Sequence, residues 1–284
     1  MSWRVVVISK RAKLDLQMNY LVVRSDDITK IYIGEISTIM IENTAVSLTV
    51  ALLSELTKRK IKVVFCDEKR NPSSELMPYY GSHDTSSKIR NQIAWDKDTC
   101  DIVWTKIVER KIRMQSNLLK RLKFNEAVIL DGYISEIEFR DITNREGHAA
   151  KVYFNALFGM DFTRDSEIAT NYALNYGYSI ILSAFNREVV ANGYMTQIGI
   201  FHDNIFNPFN LSSDLMEPFR PIVDESVFSM NLSTFEYKHK VSLIQLLVET
   251  VIINNKKQEV NNAIKIYCKS IFDAIENRNV QLIR

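Results

Sequence analysis

The sequence predicts an α+β protein: a small N-terminal β-sandwich with one helix over residues 1–72, then a larger all-α unit over residues 88–284. Three observations carry this. Short runs rich in Val, Ile, Thr and Tyr crowd the first part of the chain. A composition shift follows, where residues 70–87 hold two prolines, Gly81 and a crowd of serines. Beyond it, apolar residues recur at helical spacing.

Taken in order, residues 4–8 form a β-branched run. Over 13–20 the chain alternates, with Leu14, Leu16, Met18 and Tyr20 facing one way and Lys13, Asp15, Gln17 and Asn19 the other. That predicts a half-buried strand. Ser25-Asp26-Asp27 signals a turn, and 28–41 is again strand-like. Asn43 and Thr44 offer an N-cap for a helix over about 45–59, with Leu48, Leu52, Leu53 and Leu56 on one side. Residues 61–67 read as a buried strand. The segment 73–87 reads as a linker.

Helices are then expected over 100–123, 144–158, 165–185, 240–253 and 260–275. Gly177, inside NYALNYGY, allows close packing. In the first of these, Val103, Ile107, Met114, Leu118 and Leu122 share a stripe. Lys106, Arg110, Arg113 and Lys120 share its neighbour. Seven basic residues lie between 106 and 123 with one acid, Glu109. Such a run is either a solvated face or a groove for phosphates, whose binding would depend on salt.

Bulk composition narrows the function classes. With 284 residues, 46% apolar and 25% charged, the chain is ordinary for a globular protein. A net charge of +2 announces no polyanion partner, so any nucleic-acid surface must come from local clustering. Cys66, Cys100 and Cys268 are far apart with no metal spacing, which suits reduced thiols in a cytoplasmic protein. The start, MSWRVVVISK, has only four apolar residues in a row and is no signal peptide. No run approaches the ~18 apolar residues of a membrane span.

Residues 199–224, GIFHDNIFNPFNLSSDLMEPFRPIVD, gather chemistry. His202 closes an apolar run; Asp214, Glu217 and Arg220 follow among Pro and Asn residues that resist regular helix. Imidazole with carboxylate oxygens is a reasonable shell for Mn²⁺ or Mg²⁺. Bland readings stand beside this one. His202 could be a hydrogen-bonded structural histidine, the acids could open a helix, and Arg220 could pair with Asp224.

Glu146, in TNREGHAAKVYF, has two readings as well. Thr143-x-x-Glu146 is a capping box, while Gly147, Ala149 and Ala150 strip bulk from the helix start and admit a ligand. Lys151 and Tyr153 add a cation and a hydroxyl nearby. His148, two positions on, lies on another helix face and is a poor co-ligand. No Walker loop, GxGxxG, GxSxG or HExxH occurs. Metal-assisted chemistry on phosphate survives these exclusions.

Three segments then carry a resemblance: REGHAAKVYF, NYALNYGYSIIL, and IGIFH with DLMEPFRPIVD. The chain closely resembles the CRISPR-associated integrase of spacer acquisition, the "Cas-one" family, in wording most like the branch from type II, Cas-nine-associated systems. The likeness runs nearly the whole length, the first 90 residues by pattern only.

The resemblance implies an N-terminal sandwich that makes the homodimer and a helical metal-dependent catalytic domain. It implies Glu146, His202 and Glu217 as catalytic ligands of Mg²⁺ or Mn²⁺, with Asp214 supporting them from behind. Many relatives have Asp where Glu217 stands, and Asp-Pro where Met195-Thr196 stands. Arg145, Lys151, Arg220 and the stripe of Lys106, Arg110, Arg113 and Lys120 become candidates for DNA contact. The implied activity is metal-dependent endonuclease and integrase chemistry on double-stranded DNA in CRISPR antiviral defense. The implied setting is a prokaryotic cytoplasm, away from membranes, in a heterohexamer with the small "Cas-two" protein. The alternatives are a nuclease of branched DNA in repair and a non-catalytic DNA-binding scaffold.

Overall fold

A computed structural model describes residues 4–79 and 81–284. Residues 1–3 of the MSWRVVVISK stretch and Tyr80 of the 73–87 segment lie outside them.

The first third builds two four-stranded sheets. Strands β1 (Arg4–Ile8), β2 (Lys13–Gln17), β3 (Tyr20–Arg24), β4 (Ile28–Tyr32), β5 (Ile36–Ile41) and β6 (Ser47–Leu48) come first. Helix α1 (Val50–Lys58), strand β7 (Lys62–Cys66) and strand β8 (Pro72–Glu75) follow. One sheet runs β1-β5-β7-β8, parallel except for its last pair; the other runs β4-β3-β2-β6. Thr49 caps α1, its side chain accepting from the Leu52 N–H at 3.3 Å. The helix therefore starts later than Asn43-Thr44 suggests.

The alternation over 13–20 does not continue as one strand. Met18 and Asn19 take φ of 46° and 67° and turn β2 into β3, so Leu16 pairs with Leu21. Met18 sits at the tip of that turn, 93% exposed. Asn tolerates the left-handed conformation such a two-residue turn needs.

Period-2 geometry gives the parallel sheet two buried faces. Ile39, Ile41 and Val63 point into a core with Leu14, Leu21, Leu52 and Leu56. Their neighbours Met40, Val64 and Cys66 point the other way, into the core of the helical part. Residues 73–87 contain the end of β8 and the start of the next helix, α2 (Thr85–Ile93).

The helical part continues with α3 (Lys97–Arg121), α4 (Ala127–Ser135), α5 (Arg145–Phe158) and α6 (Ala169–Ala191). Then come α7 (Asn210–Met216), a 3₁₀ turn at Glu217–Phe219, α8 (Arg220–Met230) and α9 (Tyr237–Gln245). Central α6 is buried along most of its length. A Cβ on Gly177 would come within 2.4 Å of Val223 Cγ1, so glycine there lets α8 press against α6.

The part read as all-helical also carries a hairpin. Strands β9 (Thr250–Ile253) and β10 (Lys256–Glu259) pair antiparallel before α10 (Val260–Glu276). Residues 250–253 are thus not the end of a helix. Val251, Ile252 and Ile253 favour strand, and Asn254-Asn255, at φ 52° and 57°, make the tight turn. Among the described residues no helix is long and apolar enough to cross a membrane. The three cysteines are buried and free.

Candidate active site

Three elements meet around one ammonium. Lys111 lies on the buried face of α3, in line with Trp104, Ile107 and Val108. Its Nζ stands 2.5 Å from Glu146 Oε1 on α5 and 2.5 Å from Glu217 Oε2 in the turn before α8. Arg220 Nε donates to the other oxygen, Glu217 Oε1, at 2.9 Å.

Each carboxylate is placed for a local reason. Asn144, at φ 52°, caps α5 by accepting from the Gly147 N–H. Asp141 accepts from the N–H groups of Arg145 at 2.8 Å and Glu146 at 3.0 Å. These two residues satisfy the orphan donors of the first turn. The capping-box reading of Thr143 and Glu146 is therefore wrong: the Glu146 side chain is spared for Lys111. At the other carboxylate, Pro218 interrupts the run from α7 to α8, and Glu217 starts the short turn between them.

His202 is held by main chain and a buried acid. Asp214 is fully buried. It accepts from the N–H groups of Ile200 at 2.6 Å, Phe201 at 3.0 Å and His202 at 3.2 Å, and pairs with His202 Nδ1. That pairing leaves Nε2 as the nitrogen turned away from Asp214. Trp104 packs edge-on to the imidazole and stacks on Phe201, centroids 4.3 Å apart. The loop needs a glycine: a Cβ on Gly199 would sit 2.3 Å from the His202 carbonyl oxygen and 2.8 Å from Asp214 Oδ2.

Electrostatics follow the geometry. Burial opposes ionisation of Glu217, but Lys111 and then Arg220 hold its carboxyl down at about 2. Burial likewise opposes the Lys111 charge, and Glu217 and Glu146 outweigh it, so the ammonium is held above its ordinary range. The Asp214 hydrogen bond raises the His202 imidazole, and Glu217 and Glu146 add to that. The charges of Glu146 and Glu217 are thus felt at His202.

Beside it lies a cavity of about 170 Å³, lined by Lys111, Gln115, Arg164, Tyr178, Arg220 and Asp224 among others. Tyr153 and Tyr178 donate their hydroxyls to the buried Asp224. Burial pushes that carboxyl up to about 6, against those bonds. Arg220 therefore pairs with Glu217 and not, as i,i+4 spacing allowed, with Asp224.

The donor set suits a hard divalent cation, with one imidazole nitrogen and two carboxylates. As the side chains stand, no three His, Cys, Asp or Glu groups among the described residues are spaced to hold an ion. The Lys111 ammonium stands between the two glutamates instead.

The remaining candidates scatter. Lys106 and Arg113 both pair with Glu109, at 2.8 and 2.7 Å. Lys120 pairs with Asp131 at 2.6 Å, and Arg145 with Glu136 at 3.1 Å. Arg110 lies over the Tyr267 ring and bonds the main-chain oxygen of Arg284. Lys151 is exposed on α5. Sequence reasoning does not single out Lys111 or Asp141, and it reads Asp224 only as a partner for Arg220. A signal exists for the first: Lys111 and Gln115 interrupt the apolar face of α3 at i,i+4, where a polar pair demands buried partners.

The comparisons with known proteins agree with one another. The family described as "CRISPR associated protein Cas1" matches residues 5–240. A "CRISPR-associated endonuclease Cas1" of Neisseria meningitidis serogroup C (strain 8013) is 33% identical over 232 residues, covering 81% of this chain and 76% of that protein. A "CRISPR-associated endonuclease Cas1 1" of Francisella tularensis subsp. novicida (strain U112) is 25% identical, covering 89% of each. Among solved structures, a casposase bound to integration product has a TM-score of 0.76 at 18% identity, over 97% of this chain and 91% of that one. A chain of a partial Cas6-RT-Cas1–Cas2 complex has a TM-score of 0.69 at 16% identity, over 100% and 98%. These two likenesses speak to the fold.

Proposed function

The chain belongs to the CRISPR-associated Cas1 family, and from that premise we propose that it is a divalent-metal-dependent DNA endonuclease and integrase. The observation that carries this is the meeting of Glu146 and Glu217 on one ammonium, beside an imidazole whose Nδ1 is fixed by Asp214. Glu146, Glu217 and His202 Nε2 would hold Mg²⁺ or Mn²⁺. When bound, the ion supplies Lewis acidity toward a phosphodiester and lowers the pKa of an attacking hydroxyl.

The reaction is a transesterification. The 3′-hydroxyl of a captured DNA fragment attacks a phosphodiester of the CRISPR repeat. A new P–O bond forms, the old bond to the repeat's 3′-oxygen breaks, and that oxygen leaves with a proton. The chain's own residues orient the site. Asp214 keeps the imidazole in the tautomer that presents Nε2, and Arg220 holds Glu217 by one oxygen while the other meets Lys111. Arg145, Lys151 and the α3 cations Lys106, Arg110, Arg113 and Lys120 are proposed to meet DNA phosphates.

One such centre makes one strand join, so full integration needs at least a homodimer. A solved Cas1–Cas2 complex containing a chain of this fold supports Cas2 as partner, and the assembly proposed is a heterohexamer. The test is joining of a labelled 3′-OH fragment into a repeat-bearing plasmid with Mn²⁺, Mg²⁺ or chelator, for wild type and Glu146→Ala. Joining that needs metal and Glu146 is the expected result. Cleavage of branched DNA without joining points to a repair nuclease. Binding with neither activity points to a scaffold.

A further inference from the structure

We infer that the Lys111 ammonium is a built-in occupant of the cation position: it holds Glu146 and Glu217 together, competes with the divalent ion for them, and swings aside when the ion arrives. This rests on the metal reading above and goes beyond it, because it assigns work to a lysine that is neither ligand nor DNA contact.

The geometry comes first. One Nζ lies 2.5 Å from an oxygen of each glutamate. The three residues come from separate elements, α3, α5 and the turn before α8, so no local helix pairing explains the contact. Two carboxylates this close, one of them almost fully buried, repel unless a cation stands between them. Lysine suits a temporary cation. It is a compact point charge on a flexible stem, whereas arginine would grip both carboxylates with a planar fork. Arg220 secures the far oxygen of Glu217, so that glutamate stays in place when the ammonium leaves.

There is also somewhere for it to go. Lys111 lines the cavity of about 170 Å³ whose other walls include the Asp224 carboxylate. A turn about the lysine stem takes the ammonium off the glutamates and into a space that holds another acid, Asp224, alongside the guanidiniums of Arg164 and Arg220. The ion then meets two carboxylates already gathered and stripped of much of their water.

The test is Mn²⁺ affinity, read by titration calorimetry and by manganese paramagnetic resonance on the full chain. Lys111→Met keeps the stem and removes the charge. It is expected to bind Mn²⁺ about tenfold more tightly than wild type, or better. Its metal-free melting temperature should fall and recover by a larger increment on adding Mn²⁺. Lys111→Arg, with a charge that grips harder, should bind several-fold more weakly than wild type. A folded Lys111→Met protein with wild-type or weaker Mn²⁺ affinity overturns the inference, because a merely structural lysine would lower stability without tightening the ion. Should that variant not fold, equal affinity of wild type and Lys111→Arg overturns it. If neither wild type nor any variant binds Mn²⁺, the metal reading itself fails and takes this inference with it.

Discussion

The two faces of α3 put the same residue types to opposite uses. On the outer face Lys106 and Arg113 flank Glu109, each within one helical turn, and Lys120 reaches Asp131. These are exposed pairs, individually worth less than about 1 kcal/mol and screened by salt. On the inner face Lys111 is buried and shared by two glutamates from distant parts of the chain. There, removing one partner strands a charge in a poorly solvated place. A lysine's meaning is thus set by what faces it, not by how many cations lie beside it.

The difference should be largest when the inner cluster is broken. Glu217→Ala is expected to abolish DNA joining, a loss beyond about 10³-fold. It should also cost ~3–5 kcal/mol in urea unfolding, because Lys111 and Arg220 lose a shared buried partner. A full loss of joining with unchanged stability would show that the inner face is as well solvated as the outer.

A smaller effect is expected one step out. Asp214→Ala keeps His202 but frees its ring, and Mn²⁺ affinity should fall about 10–100-fold. Calorimetry checks it, with circular dichroism to confirm the fold.

The next test uses pH to separate two buried acids. Glu217 is held near 2, below an unfolded glutamate, so its contribution is present above the unfolded value and is lost as pH falls through about 2. Asp224 is raised to about 6, so the sign reverses. The folded state takes up its proton first, and stability declines as pH rises from about 4 to about 6. Asp224→Asn should remove that slope and change stability near neutral pH by on the order of 2 kcal/mol. Denaturant midpoints across this range measure it.

The smallest effect belongs to the outer face. A Lys106→Ala, Arg113→Ala, Lys120→Ala triple variant should stay within ~0.5 kcal/mol per site of wild-type stability. Its DNA affinity should weaken at low salt, with the slope of log affinity on log salt shallower by about one for each phosphate no longer neutralised. An unchanged slope removes this face from the DNA path.

How much of this the sequence discloses depends on the range of the interaction. Gly199, His202, Asp214 and Glu217 sit in one short window, and their chemistry is legible there because a turn brings them together. Glu146 is ambiguous between cap and ligand in the sequence. Only Asn144 and Asp141 taking over the helix start, at positive φ, decides it. Lys111 is hidden in a basic run, since its partners lie far along the chain and no local pattern names them. The hairpin at 250–259 is hidden differently. Val251 to Ile253 extend the helical period of the preceding residues, and only their β-branched side chains and the Asn254-Asn255 turn chemistry tell against it.

The parallel sheet has a consequence for anyone cutting the protein into pieces. Met40, Val64 and Cys66 belong to the same apolar mass as Trp104, Phe185 and Tyr267. A fragment beginning at α2 would leave that surface open to water, so a minimal helical piece should be sticky and poorly soluble. Trimming should be attempted at exposed turns such as the Asn254-Asn255 tip, and not through β9, whose Ile253 belongs to that same interior.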